Sequence, residues 1–313
     1  MMLDLLRRGT RLVWGALSRF FSSRAVRKFF LTPTSATGFF LVLAFAVVAF
    51  LAPVLAPPRP GRNPYMIPRD SYLNEPQPPS KEHILGTTSG QYDIWYGMVW
   101  GTRTAFRIGI VVTFASALIG IVIGTLAAFY SRVFGEISMR IVDIFMTMPF
   151  LIAAMVMTTI LGTGIDNVMV ALIAFGWMTY ARLARGDVMT VKDLDYVQAA
   201  RAVGASDWRI ITRHLLPNAI FPLFVMATMD IGSMVLAAAA LSFLGLGAEL
   251  GYADWGQMVS FARNWMSGTV GSPLIFWYTI IFPGLTILLF GLGWNLMGDG
   301  VRDIFDPRMR GSK

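Results

Sequence analysis

The chain has 313 residues, 55% of them hydrophobic and 14% charged, with a mean hydropathy of +0.60. A soluble domain carries roughly a quarter charged residues, and here long apolar runs alternate with short polar connectors, so a soluble enzyme or nucleic-acid binder is excluded despite the net charge of +8. Cysteine is absent, which removes disulfide and thiolate chemistry, and the two histidines, His83 and His214, lie too far apart in the chain to suggest a metal site.

Residues 1–35 form a basic segment. In it Leu5, Leu6, Val13, Leu17 and Phe20 fall on one side of a helical wheel and Arg8, Arg11 and Arg19 on the other. This pattern predicts an amphipathic helix lying on the membrane, with its cations toward anionic lipid. The apolar run that follows is too long for a signal peptide, so cleavage is not expected.

A bilayer core about 30 Å thick needs roughly 20 apolar residues per helix. Six spans meet that requirement: 36–56, 107–130, 141–161, 168–183, 219–246 and 273–297. The chain therefore reads as an all-α polytopic membrane protein with six transmembrane helices. Residues 57–105 separate the first span from a core over 106–298, and 299–313 form a tail. Lys and Arg number 19 on the side of the termini and 7 opposite, which makes both termini cytoplasmic. The opposite side carries a proline-rich stretch, 57–104, expected to be extended and non-helical. It also carries residues 250–272, whose Trp255 and Trp265 suit an interfacial position.

Three features inside the spans stand out. Ser116, Gly120, Gly124 and Ala128 recur every four residues, a spacing that permits close helix contact within this subunit or with a partner. Asp143, at the start of the third span, reads as a capping or interfacial acid. Asp230 lies inside the fifth, where an acid usually faces an aqueous path or a partner group. It is a candidate for meeting a substrate amine or cation on the translocation path, or for bonding a neighbouring helix.

The loop at 186–218 is longer than connection requires. Asp195 followed by Gln198 has capping-box spacing, Ala199, Ala200 and Ala202 favour helix, and Gly204 suits a left-handed helix end. Ser206 is placed to cap a second helix, Asp207 complements its dipole, and Pro217 marks a break before the fifth span. Two short helices around a glycine corner are expected, with the alanines allowing close approach.

The same residues carry a family resemblance. Gln198-Ala199-Ala200, then Gly204, then nine residues to His214-Leu215-Leu216-Pro217, match in full the spacing of the EAA loop of ABC-importer permeases. Gln198 replaces the usual Glu and keeps its hydrogen-bonding capacity without the charge. The likeness extends to His83-Ile84-Leu85-Gly86-Thr87 with Asp93 and Gly101-Thr102-Arg103, to Leu241-Ser242-Phe243-Leu244-Gly245-Leu246-Gly247, and to Trp255-Gly256-Gln257-Met258. The run from Asn295 to Arg308 completes it. Together they resemble the C-type member of a permease pair in the oligopeptide/dipeptide/nickel branch. Tyr92 stands where that branch usually has Arg, and Ala238 where relatives often have Glu.

The resemblance implies a type I ABC-importer permease architecture and half of a path for peptides or a related solute. Its ATPase-coupling residues would be Asp195, Tyr196, Gln198, Ala199, Ala200, Gly204, Ala205, His214, Leu216 and Pro217. It also implies a homologous second permease, two ATPase subunits and an extracytoplasmic substrate-binding protein. No G-x-x-x-x-G-K-[ST] phosphate loop occurs, so this chain is expected to be non-catalytic and to bind no cofactor, with ATP and magnesium in the partner ATPases. An ion-coupled secondary transporter is the alternative, although the halves lack the paired broken helices of that class.

Overall fold

The computed structural model describes residues 24–305 apart from 70, 72, 131, 267, 269–271 and 273. The residues that carry the amphipathic helix expected near the N-terminus, 5–20, lie outside the described residues, which begin with α1, Arg24–Leu31. Then come α2 (Pro33–Leu55), α3 (Ile94–Phe129), α4 (Arg132–Met146), α5 (Phe150–Leu161), α6 (Ile165–Lys192) and α7 (Asp195–Ala202). The chain continues through α8 (Asp207–Phe243), α9 (Trp255–Ala262) and α10 (Tyr278–Phe305). Helices α2, α3, α6, α8 and α10 are each long and apolar enough to cross a membrane.

The third expected span is instead a broken one. Its two pieces, Val133–Met146 and Phe150–Leu161, meet at 85°. Pro149 is the cause: its ring disfavours helix in the residue before it, and it sits at the N-cap of α5 with ψ 124°, outside the helical region. Counted as one span, the bent pair completes six.

The second span departs from expectation at its start. Residues 94–104, expected to be extended, are helical, because the Asp93 carboxylate accepts the Tyr96 amide at 2.7 Å and caps α3 well before the expected start of the span at 107. Its other oxygen meets His83 Nδ1 at 2.7 Å. This long helix also closes the end of α2. Pro53 lacks the amide that would bond the Ala49 carbonyl, and Arg103 Nε donates there at 2.6 Å. Trp95 Nε1 and Trp100 Nε1 reach the terminal carbonyls of Leu55 and Ala56 at 3.0 and 2.9 Å.

Helix α3 packs most closely against α6. A Cβ on Gly120 would stand 2.4 Å from the Tyr180 Cβ, and one on Gly124 2.3 Å from the Ala181 carbonyl oxygen. The small-residue stripe is thus an internal seam of this chain. Asp143 caps nothing; it lies within α4 and pairs with Arg182 of α6 at 2.6 Å.

One core cluster, around Trp100, Trp255, Met258 and Phe290, lies toward the start of α3. Trp255 is therefore no interfacial residue. It is buried, donates Nε1 to the Met98 carbonyl at 3.0 Å, and fills the space left by Gly101. Another cluster joins Phe129 and Val188, at the far ends of α3 and α6, to α7 and the start of α8. We call the two ends of the bundle the distal face and the loop face.

Candidate functional site

The loop face is built around α7. Lys192, at the end of α6, donates to the carbonyls of Ala128 and Phe129 at 2.9 and 3.2 Å, tying off α3. Leu194, not Asp195, is the N-cap of α7; Asp195 is its first helical residue and complements the helix dipole from there. The expected capping box does not form. Gln198 Nε2 instead donates 3.1 Å to the Lys192 carbonyl, an acceptor left over at the end of α6, so the neutral amide serves where a carboxylate could not donate. Val197 alone of α7 is fully buried, against Ile210, Ile211 and Leu215.

At the corner Gly204 adopts φ +81°. Its amide bonds the Arg201 carbonyl at 3.0 Å, and the Ala205 amide bonds Ala200 at 3.0 Å, which together make a Schellman motif. Ser206 is the N-cap of α8 by position, without a side-chain cap bond.

Pro217 does not break the chain. Residues Ile210–Leu215 form a π-helical turn that passes directly into the rest of α8. The Leu216 amide bonds back to Ile211, and the wider turn accommodates the missing Pro217 amide without ending the helix. Tyr196 and His214 face each other across the hairpin, with ring centroids 6.3 Å apart. Leu216 is half-buried and Pro217 exposed.

Outward, the hairpin presents Ala199, Ala202, Val203 and Trp208. Val203 is 84% and Trp208 75% exposed. These large apolar side chains stand free of neighbours on a loop pinned by its own small core. Neither was singled out by spacing, although a tryptophan in a polar loop was a visible sign.

Asp230 lies on α8, where its Oδ2 accepts the Tyr180 hydroxyl of α6 at 2.9 Å. It also borders a cavity of about 650 Å³ shared with Ser233, Asn295 and Arg302 and walled by Met226 and Met229. Of the two roles weighed for this acid, the bond to a neighbouring helix is formed, and the carboxylate also edges an open space. The structure does not bring it near the α7 hairpin; the two are linked through the length of α8.

The distal motifs also have geometric reasons. Gln257 accepts the Gly251 amide at 2.7 Å and donates to the carbonyls of Ala248 and Glu249, both at 2.9 Å, fixing the loop after α8. Asp254 caps α9 through the Gln257 amide at 3.1 Å, and burial pushes its carboxyl above the usual carboxylate range.

Residues 120–311 match the family model described as binding-protein-dependent transport system inner membrane component. The chain belongs to that family. The glutathione transport system permease of Pectobacterium atrosepticum is 38% identical to this inner membrane component over 275 residues, covering 88% of this chain and 87% of its own. The dipeptide transport system permease of Alkalihalophilus pseudofirmus is 34% identical over 273 residues, 87% and 85% of the two chains. A di/tripeptide transport system permease of Pseudomonas aeruginosa is 36% identical over 87% and 88%. Among solved structures, inward-facing MetNI methionine ABC transporter shares the fold, with TM-scores of 0.52 and 0.54 in two crystal forms and 21% and 22% identity. Each covers 67% of this chain and 96% of its own. This component is thus an ABC-importer permease with a type I architecture.

Proposed function

We propose that this permease imports small peptides, driven by ATP that is hydrolysed in partner subunits docked on the α7 hairpin. The observation that carries the reading is the hairpin itself: a glycine-cornered, internally packed projection whose Val203 and Trp208 lie exposed. Peptide cargo is supported by relatives whose names specify dipeptide, di/tripeptide and glutathione transport. The excess of Lys and Arg on the loop face makes that face cytoplasmic. The distal face then meets an extracytoplasmic binding protein, and a homologous second permease supplies the other half of the path. ATP and magnesium reside in the two ATPase subunits, and this chain performs no hydrolysis.

In this scheme closure of the ATPase pair displaces the hairpin, and the bundle passes between two discrete arrangements. The displacement reaches Asp230 along α8, and the Asp230 cavity forms part of the inner path. Asp230→Asn keeps an acceptor for Tyr180 but removes the charge, so peptide uptake is expected to fall while the protein stays folded. Reconstitution with partner subunits in liposomes tests the whole reading. ATP should drive uptake, and an ion gradient without the ATPase should not. Gradient-driven uptake by this chain alone would instead establish a secondary transporter.

A further inference from the structure

A second cavity, about 540 Å³, opens on the distal face. That volume lies within the range of roughly 300–1,000 Å³ typical of small-molecule sites. Its walls come from four separate parts of the chain, and each is held in place. The Tyr65 and Tyr252 rings stack at 5.4 Å with 6° between their planes, and the Ala253 amide bonds the Tyr65 carbonyl at 2.7 Å. Asn167 donates to the Leu161 and Gly162 carbonyls at 3.0 and 3.1 Å, which fixes the turn before α6. The Gly164 amide ties that turn to the Gly247 carbonyl at 2.8 Å, two residues before Glu249.

The cavity contains charges of both signs. Arg107 of α3 meets Asp166 of α6 at 2.5 Å, and Glu249 brings a second carboxylate. Arg107 and Asp166 are 48% and 73% exposed, and an ion pair this open to water contributes at most about 1 kcal/mol. It holds no helices together that the α3–α6 seam does not already hold. Opening it costs little, and a ligand that carries both an anion and a cation satisfies both partners again. A simple anion would face two carboxylates; a simple cation would face the guanidinium.

We propose that this cavity receives a zwitterionic peptide, its terminal carboxylate on the Arg107 guanidinium and its terminal ammonium between the carboxylates of Asp166 and Glu249. The Tyr65–Tyr252 stack forms the wall for its side chains. Planar guanidinium suits bidentate capture of a carboxylate. The inference rests on the peptide-import reading, and it adds an outer station on the side where cargo would arrive.

The test uses the nucleotide-free transporter, with all permease and ATPase subunits, in lipid nanodiscs and without the binding protein, whose own preference would otherwise contribute. The probe is tritiated trialanine, competed with its N-acetyl and C-amide forms. Wild type should favour the free peptide about tenfold over either blocked form, as expected for loss of one charge-assisted hydrogen bond. Arg107→Gln should erase the discrimination against the amide only, and Glu249→Gln that against the acetyl form only. Arg107→Lys, which keeps the cation, should retain partial preference and guards against a misfolded Gln variant. Unchanged ranking in folded variants, or no preference in wild type, overturns the proposal. Wild type that fails to import trialanine with ATP and binding protein present would instead refute peptide import itself.

Discussion

Replacing Gly204 with valine isolates the geometry of the hairpin corner from its packing. Gly204 sits at φ +81°, and a Cβ built there meets nothing within 4 Å. Steric clash contributes nothing, so the whole cost is the left-handed backbone, roughly 1–2 kcal/mol for an L-residue and at the upper end for a β-branched one. A change of that size lowers the ratio of formed to unformed corner about 5- to 30-fold. Without the corner, the amides of Gly204 and Ala205 leave the carbonyls of Arg201 and Ala200, and Val203 and Trp208 lose their relative position. The assay is the number of ATP molecules hydrolysed per peptide imported by the reconstituted complex, with protease accessibility as the check that the spans are inserted. Gly204→Val should insert normally and hydrolyse ATP with little import. Gly204→Asn, whose side chain tolerates the left-handed region, should retain most coupling. Normal coupling in the valine variant, or an asparagine variant as defective as valine, would refute this account.

Three further outcomes are expected. Trp208→Ala should weaken association with the ATPase by roughly thirtyfold, about 2 kcal/mol, if Trp208 is a contact hot spot; equal capture of ATPase by both proteins rules that out. Gly101→Val places a Cβ 2.6 Å from the buried Trp255 ring, and overpacking of this kind costs about 1–3 kcal/mol, so the unfolding temperature in detergent should fall. Asp254, whose folded-state pKa is raised by burial, loses stability as pH climbs above the ordinary value of 3.8 toward that raised pKa. Asp254→Asn keeps a capping acceptor and lacks this pH dependence, so its stability relative to wild type should grow between pH 4 and 7. A constant difference would show that the carboxyl does not titrate in that range.

The membrane class and the hairpin were legible because both depend on local signals: apolar length, a glycine at a helix end, alanines beside it. What escaped was set by partners distant in sequence. Gln198 has the spacing of a capping box, yet the carbonyl it serves belongs to the preceding helix. Asp143 could be read as a capping acid until α6 brings Arg182 to it from 39 residues away. Trp255 resembles a membrane-surface tryptophan because sequence alone does not reveal that Gly101, more than 150 residues earlier, leaves room for its ring. Pro149 was visible throughout, but an apolar run on both sides concealed a bend of 85°. The distal cavity could not be read at all, since its charges lie on three separate segments.

The π turn at Ile210–Leu215 gives the length of the loop a meaning beyond reach. Each residue of an α-helix advances the next by about 100° around the axis. A wide turn holds back part of that rotation, so the side of α8 that faces Asp230 and the side that carries Trp208 are set in phase by how many residues lie between them. Deleting one residue from Ile210–Leu215 would leave every contact group present and swing the hairpin about a quarter of a turn around α8. The nine residues between Gly204 and His214 therefore act as an angular setting. Their number would aim the proposed docking surface, and their identities matter where they pack against Val197 or, as Trp208 does, form that surface.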